Sequence, residues 1–187
     1  MPTLHVIIAS TRHGRQGPAV AHWFFALAQA HGGFTVELVD LAAVNLPLMD
    51  EAAHPRLRQY EHEHTRAWSA TVEAADAFVM VTPEYNFGAP PSLLNALDYL
   101  HYEWAYKPVG FVSYGGVSAG TRSVQMTKQV VTTLKMMPVM EAVAIPFFSQ
   151  YLDDNGAFTP PEVQVNAAHD MLDELLKWTN ALAPLRG

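Results

Sequence analysis

Leu4-His5-Val6-Ile7-Ile8-Ala9, running into Ser10-Thr11-Arg12-His13-Gly14-Arg15-Gln16-Gly17-Pro18, is the stretch on which the fold turns. Residues 4–9 are a short apolar run rich in branched side chains, the pattern of a strand buried on both faces of a parallel sheet. A polar, glycine-containing turn follows. Pro18 then opens a helix with Val20, Trp23, Phe24, Leu27 and Ala28 at helical spacing, which Gly32 and Gly33 stop.

The alternation recurs outward from there. Further strands are predicted at residues 34–41, 77–82, 109–114 and 139–145, and helices at 56–75, 91–104, 121–136 and 161–183. The last helix carries Val165, Met171, Leu172, Leu175, Leu176 and Leu182 as its apolar positions. Strict alternation predicts an α/β fold with right-handed crossovers and helices on both sheet faces. Ligands in such folds bind at the carboxyl ends of the strands, where strand order reverses. The loops after strands one, three and four are therefore the expected functional ones.

Composition bounds what those loops can do. The chain has 187 residues, half of them hydrophobic, which is enough for one substantial core, so a single domain over residues 1–187 is expected. A formal charge of −7, with no run of Lys or Arg, argues against nucleic acid. There is no cysteine, which removes disulfides, thiolate metal sites and cysteine nucleophiles. The first residues lack the pattern of a signal peptide and no segment reaches membrane-spanning length, so a soluble cytoplasmic protein is expected.

The first loop joins a buried strand to a helix N-terminus, where unpaired backbone N–H groups and the helix dipole favour an anion. Ser10, Thr11, Arg12 and Arg15 add two hydroxyls and two guanidinium groups, and no acidic side chain precedes Glu37. It lacks the Gly-Lys-Ser or Gly-Lys-Thr of a P-loop and the close glycine spacing of a dinucleotide fingerprint, so a single phosphate fits better. Equally, Ser10 and Thr11 can simply cap the turn while the arginines are solvated.

The second loop, Thr82-Pro83-Glu84-Tyr85-Asn86-Phe87-Gly88-Ala89-Pro90-Pro91, combines stiffening prolines, an aromatic and a glycine, which suits a flat ligand with amide edges. Its alternative is an ordinary proline-rich turn. The third, Ser113-Tyr114-Gly115-Gly116-Val117-Ser118-Ala119-Gly120, lets main chain lie against a planar group and offers N–H groups to negative charge. By itself it also reads as a flexible glycine turn.

Together these segments resemble the NADPH-dependent FMN reductase family, over nearly the whole chain. The resemblance rests on Ile8-Ala9-Ser10-Thr11-Arg12, Thr82-Pro83-Glu84-Tyr85-Asn86, Leu94-Asn95-Ala96-Leu97-Asp98-Tyr99 and Ser113-Tyr114-Gly115-Gly116, the second being the most specific. It implies a flavodoxin-like three-layer α/β/α sandwich with a five-stranded parallel sheet in the order 2-1-3-4-5. It also implies FMN as cofactor, NADPH or NADH as co-substrate, and a small-molecule acceptor such as a free flavin, quinone, azo compound or metal oxyanion. Ser10, Thr11, Arg12, Arg15, Gly17 and Pro18 would then surround the phosphate, Pro83, Glu84, Tyr85 and Asn86 would border the ring, and Ser113, Tyr114, Gly115 and Gly116 would complete the pocket.

This chain has Ala9 and Ala119 where relatives often have glycine, and Leu94 where lysine is common. The chemistry would belong to the flavin, so no side chain is expected as nucleophile, and Glu84 is expected to be structural. His54, His62 and His64 lack ligand-like spacing, and no metal site is expected. Tyr99, Tyr102, Trp104 and Tyr106 can be core or can meet another subunit beside the flavin; the resemblance, which implies a homodimer or dimer of dimers, favours the interface. A non-catalytic FMN-binding electron carrier and a flavin-free interaction protein are the rival readings.

Overall fold

A computed structural model describes residues 1–186. Five parallel strands, β1 (Thr3–Ile8), β2 (Thr35–Asp40), β3 (Ala77–Pro83), β4 (Pro108–Tyr114) and β5 (Met137–Ile145), form one sheet in the order β2-β1-β3-β4-β5. Helices α1 (Gly17–His31), α2 (Leu41–Val44), α3 (Glu63–Glu73), α4 (Pro91–Asp98), α5 (Thr121–Thr133) and α6 (Glu162–Leu182) cover it.

The period of two along the strands divides the core. Leu4, Val6 and Ile8 of β1, with Val79 and Val81 of β3, pack against Phe24 of α1 and Met171, Leu172 and Leu175 of α6. Ile7, Phe78, Met80 and Phe111 point the other way, onto Trp68 of α3, Leu93 of α4 and Val131 of α5. The inner strands β3 and β4 are buried at every position, whereas the edge strand β2 alternates. In register, Ile8 at the end of β1 stands between Asp40 of β2 and Val81 of β3. The chain reverses direction in the sheet order beside β1, and the three expected loops leave from that end.

Two predicted helices are shorter than their apolar spacing suggested. The one expected from residue 56 begins only at Glu63, because the Glu51 carboxylate takes the N–H groups of Glu61 and His62 and Arg58 adopts a left-handed backbone. His62 therefore precedes the helix and stacks on His64, whose ring pairs with Asp50. The helix expected over 91–104 stops at Asp98, and a separate 3₁₀ turn, Tyr102–Trp104, carries Glu103 and Trp104 inward. The interface reading fails for two of the four aromatics: Tyr99, at the end of α4, and Trp104, in the turn, are core residues, Tyr106 is half-buried, and of the four only Tyr102 is exposed. The short helix α2 was not anticipated; Asp40 caps it by accepting the Ala42 N–H at 3.0 Å. Among the described residues no helix is long and apolar enough to cross a membrane.

Candidate active site

The loops after β1, β3 and β4 meet around a cavity of about 230 Å³. Arg12, Arg15 and Gln16 line it from the first loop, Pro83, Glu84 and Tyr85 from the second, and Tyr114 and Gly115 from the third, with Phe148 beyond β5 closing one side.

The first loop supplies backbone donors. Among the described residues, none of the N–H groups of residues 11–16 meets an acceptor within the protein, and unsatisfied donors of this kind at a helix N-terminus attract an anion. The two arginines differ sharply. Both terminal nitrogens of Arg15 bind Asp40, at 2.5 and 2.6 Å, and Nη1 also donates to the Ser10 carbonyl at 2.7 Å. Arg12 is exposed, has no carboxylate partner among the described residues, and lies 5.9 Å from the centre of the Tyr85 ring. Arg15, expected beside Arg12 at a phosphate, is thus already neutralised, since β1 and β2 pair in a register that brings Asp40 across.

Below the loop, Ser10 is buried and its hydroxyl oxygen accepts from Tyr114 at 3.3 Å. Burial pushes the Tyr114 phenol up to about 12, so it stays a donor at neutral pH. Gly17 is what permits this contact: a Cβ there would stand 2.5 Å from the Tyr114 hydroxyl and closer still to Ser10 Oγ. Pro18 sits in the first turn of α1, where its missing N–H costs nothing.

In the second loop, Tyr85 and Gly88 exchange backbone hydrogen bonds at 3.0 and 2.9 Å, closing a two-residue hairpin with Asn86 and Phe87 at positive φ. That is the backbone of a type I′ turn, for which asparagine is suited and phenylalanine is not. Phe87 is exposed, with the Arg122 guanidinium 3.9 Å from its ring centre. Glu84 turns away from solvent to bind Arg122 and Ser118. In the third loop, Gly115 and Gly116 accept the N–H groups of Phe148 and Phe147, and the Tyr114 and Phe148 rings pack edge to face at 5.0 Å.

Residues 2–150 match the family described as NADPH-dependent FMN reductase. The chain belongs to that family. An NAD(P)H-dependent FMN reductase of Schizosaccharomyces pombe is 41% identical over 149 residues, covering 78% of this chain and 74% of that protein. The NADPH:quinone oxidoreductase of Arabidopsis thaliana is 27% identical, over 78% of this chain and 68% of its own. In fold the chain resembles FerB, a flavoenzyme NAD(P)H:(acceptor) oxidoreductase of Paracoccus denitrificans, with a TM-score of 0.77 at 20% identity. That likeness covers 97% of this chain and 98% of the other. This member of the FMN reductase family is accordingly a flavin-dependent oxidoreductase.

Not every residue expected at the FMN reductase site reaches the cavity. Ser113 is buried in β4 beside Thr82, on the α5 face. Thr11 lines a neighbouring cavity with Ser92 and Asn95. Asn86 and Gly116 are exposed on their turns and do not line the cavity. Sequence reasoning missed Phe148 and Asp40. Asp40 is the last residue of β2 and Phe148 lies just beyond β5, both at the same carboxyl end of the sheet as the site, so the rule that selected the other loops reaches them too.

Proposed function

We propose that the chain holds FMN across these three loops, passes electrons to it from NADPH or NADH, and delivers them to a small acceptor such as a quinone, azo compound, free flavin or metal oxyanion. The single observation that carries this is the run of six backbone N–H groups, residues 11–16, that meet no acceptor among the described residues, with the Arg12 side chain within the run reaching toward the Tyr85 hairpin. Such a set suits one phosphate attached to one flat ring. Bound there, FMN would supply the hydride chemistry.

The chain's own residues would bind and orient. The loop N–H groups, the Ser10 hydroxyl and Arg12 would hold the phosphate; Pro83, Tyr85, Tyr114 and Gly115 would border the ring and exclude water. Glu84 is held by Arg122 and Ser118, so no proton is assigned to it. A homodimer or dimer of dimers is carried by the family resemblance, with a cytoplasmic location proposed alongside it; Phe87, Val117 and Phe147, exposed on or beside the site loops, are the surface a second subunit would cover.

The test is binding and turnover. Arg12→Ala should weaken FMN far more than riboflavin, and equal loss for both would refute the phosphate site. NADPH and NADH oxidation with FMN and a quinone separates an enzyme from a carrier: a yellow protein that neither coenzyme reduces would be the carrier.

A further inference from the structure

The two arginines of the first loop do different work. We propose that Asp40 is a positioning residue for the phosphate loop, acting through Arg15, and that Arg15 is a strap across the loop while Arg12 alone meets the phosphate. This rests on the FMN reading above.

The geometry has three parts. Asp40 and Arg15 pair fork to fork, which fixes the plane of the guanidinium as well as its distance. The same guanidinium donates to the carbonyl of Ser10, five residues back, so one side chain ties the two ends of the loop together. Asp40 itself is held at both sides: its backbone ends β2, paired with Ile8, and its Oδ1 caps α2 through Ala42. The Arg15 hydrogen bond, outweighing the opposing effect of burial, keeps the Asp40 carboxyl below the usual carboxylate range. Both side chains are mostly shielded, at 20% and 28% exposure, so solvent screens the pair less than a surface bridge.

Its consequence is preorganisation. The span whose N–H groups have no acceptor is anchored between two fixed points, so a phosphate would not have to order it on arrival. Arg15 contributes no net charge to the site, because Asp40 cancels it.

The experiment measures FMN and riboflavin affinities, by quenching of flavin fluorescence, for the wild type, Arg12→Ala, Arg15→Ala, Asp40→Asn and the Arg15→Ala/Asp40→Asn pair. Asp40→Asn keeps an oxygen to cap α2 and loses the charge and the second acceptor. Arg15→Ala leaves the cap untouched, so a folded variant is available on each side. Each single change should weaken FMN by about tenfold or more, the worth of a lost charge-assisted pair, with riboflavin much less affected. The pair should be no worse than the worse single.

If Asp40→Asn leaves FMN affinity unchanged, or tightens it by releasing Arg15, while Arg15→Ala weakens it, Arg15 contacts the phosphate directly and the proposal fails. Equal loss of FMN and riboflavin in the Asp40 and Arg15 variants would reduce the pair to a general structural role and overturn it too. Failure of the underlying site reading looks different: Arg12→Ala then fails to separate FMN from riboflavin.

Discussion

Glu84 and Arg122 join the second site loop to the start of α5 through one carboxylate: Oε1 accepts from the Arg122 side chain at 2.6 Å, and Oε2 accepts the Arg122 backbone N–H at 3.2 Å. The second contact lies in the first turn of α5, whose own cap, Gly120, has no side chain to offer. A residue 38 positions earlier thus finishes that helix and pins the hairpin beside it.

Burial pushes the Glu84 carboxyl up, but Arg122 and Ser118 outweigh it and hold it below the usual carboxylate range. It is therefore ionised throughout the neutral range and has no proton to give. Glu84→Gln should leave the shape of the pH profile for coenzyme oxidation unchanged and lower the rate by less than about tenfold. A limb of the profile that vanishes in the variant would show that Glu84 titrates during turnover.

Gly17→Ala should disturb both hydroxyls at the base of the phosphate loop, since the new methyl group would meet Ser10 and Tyr114. FMN affinity should fall by tenfold or more, on the order of 1–3 kcal/mol for overpacking a closed site. Riboflavin and FMN titrations, with a thermal melt to verify folding, check this.

Ala119 sits at φ 53°, a left-handed conformation that glycine adopts without penalty. Ala119→Gly should stabilise the fold by about 1 kcal/mol, less the greater chain entropy that glycine loses on folding. Urea denaturation of the two proteins measures the difference; a less stable variant would show that the methyl group's packing matters more than the strain.

Lys107 is buried, and its Nζ donates to the carbonyls of Val72 and Glu73 at the end of α3. Burial lowers its pKa from 10.5 to about 8. Between those values the unfolded chain holds a proton that the folded chain has released, so stability contributed by this residue rises with pH there and is flat below. Relative to Lys107→Met, the wild type should gain up to about 1.4 kcal/mol per pH unit above pH 8. The tyrosines that titrate nearby are common to both proteins and cancel.

The sheet was legible because Leu4, Val6, Ile7 and Ile8, and the apolar run from Ala77 to Thr82, fit inner strands of a covered sheet, while the strand order came from the family resemblance and not from the apolar pattern. The limits of the helices were not. Glu51 takes the N–H groups of Glu61 and His62, and Glu103 is held inward by Tyr60 and Ser69, contacts that periodicity does not register. At the site, the loops were readable one by one but the pairings between them were not. No acid precedes Glu37, yet Asp40 reaches Arg15 because parallel strands set the ends of β1 and β2 side by side. Tyr99 and Trp104 failed for a related reason: an aromatic cluster looks the same in sequence whether it faces inward or outward.

The run of N–H groups in residues 11–16 also makes the loop a reporter. Amides that donate to nothing in the protein exchange with deuterium almost as fast as in an open chain, while those of β1 immediately before them are locked in the sheet. A phosphate seated on the loop would slow just these few, so the step from slow to fast exchange at the end of β1 would be lost. Occupancy of the site could then be read from the backbone alone, without flavin colour or turnover.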